Sequence, residues 1–547
     1  MKLRRWIAVA AWLALSGSVV AAENSVPKYG VFEQELEHSG EYANPYAEVR
    51  ATAMLTGPDG ATQRLPLFWD GGRTWRFRYS PARTGAWKWS VESNDARLDG
   101  QTGGFEVDDS DRPGGIQPMT GHPHHFQRQN GKPFWFMGDT GWALYTDSEA
   151  ERHDWPAVRR YIDARAEQGF NVIHSMLISE AGWGNGGGQA FSDLEDERIN
   201  PAYWQEVDRR LAYLNERGIV AGLVLAWADK GRNPNNWRQF PSLESRRRYA
   251  RYVAARYGAM DVYFLVAGEW DFDIRASGRP RDEVKREYEL LGETVDAADP
   301  HGRMIAIHNG GGRPDHVQEF ADLEWMDFGD YHQNYVQLHE ILLQARRRNA
   351  KPVVNSEYAY YLRDSNEDGK NDKPNSATLA MIRHATWDIA MAGGYFITGF
   401  GTTYFGGNRM PGPFRLDDPR NDDWEEDVGH LQTLFADLEW WKLQPHDEIV
   451  TAAVPRGKDR RELGVGAPPK TAYWALAEPG RQYAVYVRGC VSPVIIDMGR
   501  MAANEFRARQ FDPRTGEFQP VNLEPAAGKR RYQPPDEQDW VLVVTRS

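Results

Sequence analysis

Between residues 27 and 108, apolar and polar positions alternate in short runs. Thr74-Trp75-Arg76-Phe77-Arg78-Tyr79 is one such run, Ala47 to Leu55 is another, and Gly85 to Val91 carries Trp87 and Trp89 on one face. The turn signals Gly57-Pro58-Asp59-Gly60, Asp70-Gly71-Gly72, and Pro81 with Gly85 separate the runs. Short alternating strands at this spacing predict a β-sandwich, and the polar, Gly- and Pro-bearing stretch Asp108 to Gly115 predicts a linker. From Phe134 the pattern changes to short apolar runs alternating with helical periodicity, the mark of βα units and a parallel sheet. Eight strands are predicted: Phe134–Gly138, Asn171–Met176, Val220–Ala226, Val262–Ala267, Met304–His308, Asp327–Tyr331, Pro352–Ser356 and Tyr395–Phe400. Helices are predicted over Trp155–Gln168, Ala202–Glu216, Arg281–Ala298 and Val336–Arg348. Eight such units over about 300 residues fit a (β/α)8 TIM barrel. A doubly wound open sheet is the alternative, disfavoured because no dinucleotide fingerprint is present. After Trp440-Trp441, alternation returns in Tyr483–Val487 and Trp540–Val544, which predicts a second β-sandwich.

The first residues form a different pattern. Lys2, Arg4 and Arg5 precede an apolar run from Trp6 to Leu15, and small residues end at Val20-Ala21-Ala22. This predicts a signal peptide over residues 1–22 and a periplasmic or secreted bacterial protein, the apolar run being too short to span a bilayer. The expected fold class is therefore α/β: a TIM barrel over 113–444 flanked by β-sandwiches over 23–112 and 445–547. A length of 547 residues agrees with about three domains. The 65 basic and 78 acidic residues leave a net charge of −13, which argues against nucleic acid or an anionic membrane surface as partner. The single cysteine, Cys490, excludes a disulfide framework and a thiolate-rich zinc site. With 21 Trp, 24 Tyr and 22 Phe the chain has rings that suit stacking on sugars, although rings also fill cores.

Barrel enzymes carry their chemistry at the C-terminal ends of the strands. The residues placed there are Asp139 and Trp142 after the first strand, His174 on the second, Trp227 after the third, and Glu269, Trp270 and Asp271 after the fourth. His308, Tyr331 with His332, Glu357 with Tyr358, and Tyr404 follow the remaining strands. His174, Trp142 and Trp227 read equally well as core residues. Glu269 or Glu357 could each cap a helix, but a carboxylate directly after an apolar strand is costly unless it is used. Paired carboxylates in different protonation states are what glycosidic cleavage needs, and Trp270 and Tyr358 are the neighbours expected to create the difference. Asp139 and Asp271 are expected to orient sugar hydroxyls or neighbouring groups. Asp364, Asn366, Asp368 and Asp372 match the first half of a calcium loop around Gly369, but the twelfth position is Asn375 rather than Glu; a solvated acidic loop is the other reading. No cofactor is required for the expected chemistry, and a structural calcium is the one ion considered.

Several segments together resemble the apiosidase-like glycoside hydrolases of the (β/α)8 clan A. They are Asn130-Gly131-Lys132-Pro133-Phe134 leading into Gly138-Asp139-Thr140, Gly169-Phe170-Asn171-Val172, Val266-Ala267-Gly268-Glu269, and Pro352 to Glu357. The N-terminal region, with Tyr29-Gly30-Val31-Phe32-Glu33 and Asn44-Pro45, is similar to an uncharacterised module that precedes such barrels. The C-terminal region resembles a module described as the collagen-binding domain of a collagenase. The resemblance implies a retaining hydrolase with Glu269 as acid/base and Glu357 as nucleophile, and the leading expectation is action on a plant or algal polysaccharide or its oligosaccharides. It also implies a hydrogen bond from Tyr331 to the nucleophile. One departure stands out: the clan places Asn before its acid/base, and this chain has Gly268, which makes Asp271 the alternative acid. A polysaccharide lyase, using His174, His308 or His332, and a non-catalytic carbohydrate-binding barrel are the competing functions.

Overall fold

The computed structural model describes the chain from residue 25 to 546, apart from residues 150–152, 180, 232, 234, 334–336, 359–378, 399–424, 458–459, 463–464 and 500–504. Its centre is an eight-stranded sheet in which every pairing is parallel. In chain order the strands are β1 Met137–Thr140, β2 Val172–Met176, β3 Val220–Val224, β4 Val262–Leu265, β5 Ile305–Ala306, β6 Gly329–Tyr331, β7 Val353–Asn355 and β8 Tyr395–Thr398. They lie in the order 5-4-3-2-1-8-7-6. The two ends meet through a parallel bridge between His308 and Asp330 and a hydrogen bond from Asp327 N to Ile305 O. The sheet is thus a nearly closed barrel, as the βα rhythm predicts.

Helices Trp155–Glu167, Pro201–Glu216, Arg281–Ala298 and Leu338–Arg348 fall where the periodicity places them. Asp154 and Asn200 cap the first two through side-chain oxygens that accept from Ala157 N and Ala202 N. One strand is misplaced by the sequence pattern. Pro133–Phe134 pairs with His122–Arg128 in a small antiparallel sheet, and the first barrel strand starts three residues later, at Met137. Phe126, Phe134 and Phe136 of this segment join the barrel core.

The N-terminal region forms a five-stranded and a three-stranded sheet packed around Phe32, Leu55, Trp75, Phe77, Trp87, Trp89 and Phe105. The alternation over Ala47–Leu55 is only partly strand, since Pro45–Glu48 is one helical turn and the strand begins at Ala51. This region docks on the barrel through a buried ion network. Arg256 holds Asp70 and Asp208, each at 2.8 Å, and Arg78 holds Asp208 at 2.7 Å. The C-terminal region forms a six-stranded and a four-stranded sheet. Its strand Gln482–Arg488 is buried along its whole length because the two faces have different partners. Tyr483, Val485 and Val487 pack on the second sheet, while Ala484 and Tyr486 join the barrel core, with Tyr486 stacked on Trp387. Among the described residues no helix is long and apolar enough to cross a membrane.

Candidate active site

The residues just past the strand ends gather around Glu269 and Glu357. Glu357 follows β7. His308, past the end of β5, lies with Nε2 3.2 Å from Glu357 Oε2 and Nδ1 2.7 Å from Asp330 Oδ1. Ser356 Oγ donates to the same Asp330 oxygen. Burial opposes a charge on His308, but the hydrogen bonds to Asp330 and Glu357 outweigh it and push its pKa up to about 10. At neutral pH His308 is an imidazolium donating to both carboxylates. Burial likewise works against charge on Glu357, but His332 and His308 prevail and hold it below its ordinary value despite repulsion from Glu269.

Glu269 sits just beyond β4 with φ of +48°, the left-handed region that few side chains adopt. Strain of this kind persists where the surroundings fix it and is frequent at functional sites. Trp227 Nε1 donates to Glu269 Oε2 at 3.1 Å, and Lys230 Nζ lies 2.7 Å from the same oxygen and 4.5 Å from the centre of the Trp227 ring. Burial would raise the pKa of Glu269, yet Lys230 and His332 hold it well below the usual carboxylate range. His332 joins the two halves: its Nδ1 is 3.2 Å from Glu269 Oε1 and 3.3 Å from Glu357 Oε2. Its ring stacks on that of His308, centroids 5.6 Å apart.

The geometry also accounts for Gly268. A Cβ at this position would fall 2.3 Å from the Trp227 ring. The indole therefore occupies the space that an asparagine would need, and the Trp227 N–H contacts Glu269 instead.

The predicted site residues divide into two groups. Glu269, Glu357, His308, His332 and Trp227 come together. Trp142 stands edge-on to Trp227 at 5.0 Å, and His174 lies against Trp142 at 4.9 Å, completely buried. Burial lowers the His174 pKa to about 4, so it is neutral and forms part of the packing beneath the site. The other group points away. Tyr331 turns away from Glu357; its hydroxyl accepts from Gln318 behind the sheet. Tyr358 Oη shares a hydrogen bond with Thr386 at 2.7 Å, and Trp270 packs edge-on against Phe320, so neither shapes the charge states of the glutamates. Lys230 and the two histidines do that. Asp271 is saturated by Arg313 at 2.5 Å, His316 at 2.8 Å and Gly310 N at 2.6 Å, which removes it as the alternative acid. Asp139 is fully buried against Arg165 at 2.5 Å and Tyr161 at 2.8 Å, so it orients neighbours and not a sugar. Tyr404 and the calcium-loop candidates Asp364, Asn366, Asp368 and Asp372 lie outside the described residues.

Two residues escape the sequence reading. Asp330 is a completely buried acid inside a three-residue strand, a signal available in the apolar context of β6. Lys230 lies six residues past the end of β3, in a polar loop whose return to the rim leaves no mark in the pattern.

A (β/α)8 barrel with two buried glutamates at the C-terminal rim has the architecture of a glycoside hydrolase. Residues 121–442 match the profile of the apiosidase-like catalytic domain, and the chain belongs to that family of glycoside hydrolases. Residues 25–94 match a domain of unknown function, DUF5060, and residues 465–545 match the "putative collagen-binding domain of a collagenase". No curated protein matches the chain. Among solved structures it is similar to a "putative glycoside hydrolase" of Bacteroides vulgatus ATCC 8482, with 19% identity, 96% of this chain and 100% of the other covered, and a TM-score of 0.71. A family 5 glycoside hydrolase of the same organism aligns with 17% identity over 79% of this chain and 93% of its own, with a TM-score of 0.61. At these identities the likeness speaks for the fold.

Proposed function

We propose that the protein is an exported hydrolase that cleaves a glycosidic bond in a plant or algal polysaccharide or its oligosaccharides, with retention at the anomeric carbon. The observation that carries this reading is the shared imidazole: one nitrogen of His332 stands 3.2 Å from Glu269 and 3.3 Å from Glu357. Two carboxylates flanking one nitrogen favour the spacing of about 5–5.5 Å used with retention over the ~6.5–9.5 Å used with inversion. The basic, apolar-cored start of the sequence over residues 1–22 supports export.

In this mechanism the Glu357 carboxylate attacks the anomeric carbon while Glu269 gives its proton to the departing oxygen. Glu269 then takes a proton from water, whose oxygen attacks the same carbon and releases Glu357. His308 and His332 keep Glu357 ionised for attack. Glu269 is ionised in the empty site because of Lys230. Acid catalysis therefore requires the lysine's hold to loosen as sugar fills the cup.

That requirement is testable. Lys230→Met removes the cation, so the Glu269 pKa rises and the acid survives to higher pH. The alkaline limb of the kcat/KM profile should move upward by about 1–3 pH units. An unmoved limb would separate Lys230 from the acid.

The function itself is tested on defined oligosaccharides, with products followed by reducing-end assay and NMR of the first-formed anomer. Retention is expected, and azide should restore turnover of an activated substrate by Glu269→Ala. Inversion of the anomer would refute the two-glutamate displacement. An unsaturated, ultraviolet-absorbing product would make the protein a lyase.

A further inference from the structure

The nucleophile's surroundings fit a second ligand besides a sugar. His308, His332 and Glu357 each offer one donor atom, and the three atoms lie within 4.8 Å of one another. The two nitrogens stand 3.2 and 3.3 Å from the same Glu357 oxygen. Donors held at about 2.0–2.2 Å on one zinc ion are themselves about 3.3 Å apart, so both nitrogen–oxygen separations already match.

Two further observations point the same way. His308 is braced through Nδ1 by the buried Asp330, which in turn accepts from Ser356. A carboxylate behind an imidazole is the support that metal-bound histidines use. His332 is only 6% exposed, and its Nδ1 faces an oxygen of each glutamate, at 3.2 and 3.3 Å. A cation held by that nitrogen would stand against both carboxylates.

We propose that His308 Nε2, His332 Nδ1 and a Glu357 carboxylate oxygen bind one zinc-class dication, and that occupancy of this site shuts the catalytic cup. Two imidazoles with one carboxylate select Zn2+, Co2+ or Ni2+ over Mg2+ and Ca2+. The ion takes the place of the proton on His308 Nε2, which leaves to solvent. Metal binding is independent of the glycosidase reading; inhibition rests on it, because a Glu357 engaged as ligand is unavailable for attack.

Cobalt(II) titration of the full chain, after chelator treatment and dialysis, provides the test through visible d–d absorption. A band saturating at a single equivalent is expected, displaced by zinc but not by excess magnesium or calcium. Asp330→Asn should weaken binding about 10–100-fold, and both His332→Ala and Glu357→Gln should lose the band, with circular dichroism checking each fold. No saturable band, a band intact in Glu357→Gln, or displacement by calcium would overturn the site. These readings need no substrate, so an inactive protein leaves them standing and a failed titration leaves the hydrolase reading untouched. On a cleaved glycan, zinc should inhibit with the midpoint of its binding and chelator should reverse it. Full occupancy without inhibition would refute the blockade.

Discussion

Glu357→Gln is expected to lower kcat by on the order of 10⁴-fold or more while the protein still folds and binds glycan. The substitution is nearly isosteric, and the amide oxygen can still accept from His308 Nε2, which stands 3.2 Å from the native carboxylate. What disappears is the charge. Without it the side chain cannot form the covalent glycosyl intermediate of the proposed mechanism, and no described neighbour replaces it: Asp330 is turned toward His308 and Ser356, and Asp271 is occupied by Arg313 and His316. The native carboxylate is held below its ordinary pKa, so it adds stability at neutral pH that is lost as pH falls through its folded value. That lowered value already includes the repulsion from Glu269, so the substitution should lower the thermal midpoint modestly at neutral pH and not at acid pH. Turnover near the native rate in a folded Glu357→Gln would remove this residue as nucleophile; loss of turnover together with loss of glycan binding would point to a damaged cup and call for isothermal titration with an intact substrate.

The barrel was legible because its signal is repetitive: seven of the eight strands and four helices follow from apolar runs broken by helical periodicity, and the first strand is displaced by three residues. The site was legible only in part, and the reason is the two-residue period of a strand. Successive side chains point to opposite faces. Past β4, Glu269 enters the cup and Trp270 leaves it to pack on Phe320. Along β6, Asp330 and His332 face the cup while Tyr331 between them turns to Gln318. Past β7, Glu357 faces in and Tyr358 reaches Thr386. Adjacent rim residues therefore cannot all be ligands, and a reading that keeps strand phase would have discarded Trp270, Tyr331 and Tyr358. Lys230 could not be found this way, since a loop residue has no phase. Gly268 was visible as a departure, but its cause, the Trp227 ring from the neighbouring strand, is tertiary.

Strand phase also governs Asp139, where the expected result separates a sugar ligand from a buried brace. Asp139→Asn should destabilise the protein by about 3–5 kcal/mol and leave KM for a cleaved glycan close to the native value. The carboxylate is completely buried, accepting from Thr140 N, Tyr161 Oη and Arg165 Nε, and the Arg165 side chain is only 1% exposed. Neutralising the acid takes from that guanidinium, inside the barrel wall, the buried carboxylate it pairs with, which costs more than the pair contributed when intact. A ligand role for Asp139 predicts the reverse, an elevated KM with unchanged stability. Replacing both partners by apolar residues, Asp139→Leu with Arg165→Met, removes the buried charge altogether and should recover most of the loss. Urea unfolding of the single and double variants measures that recovery as a coupling energy. A double variant as unstable as Asp139→Asn would mean that the shape of this contact, and not its charge, holds β1 against the helix Trp155–Glu167.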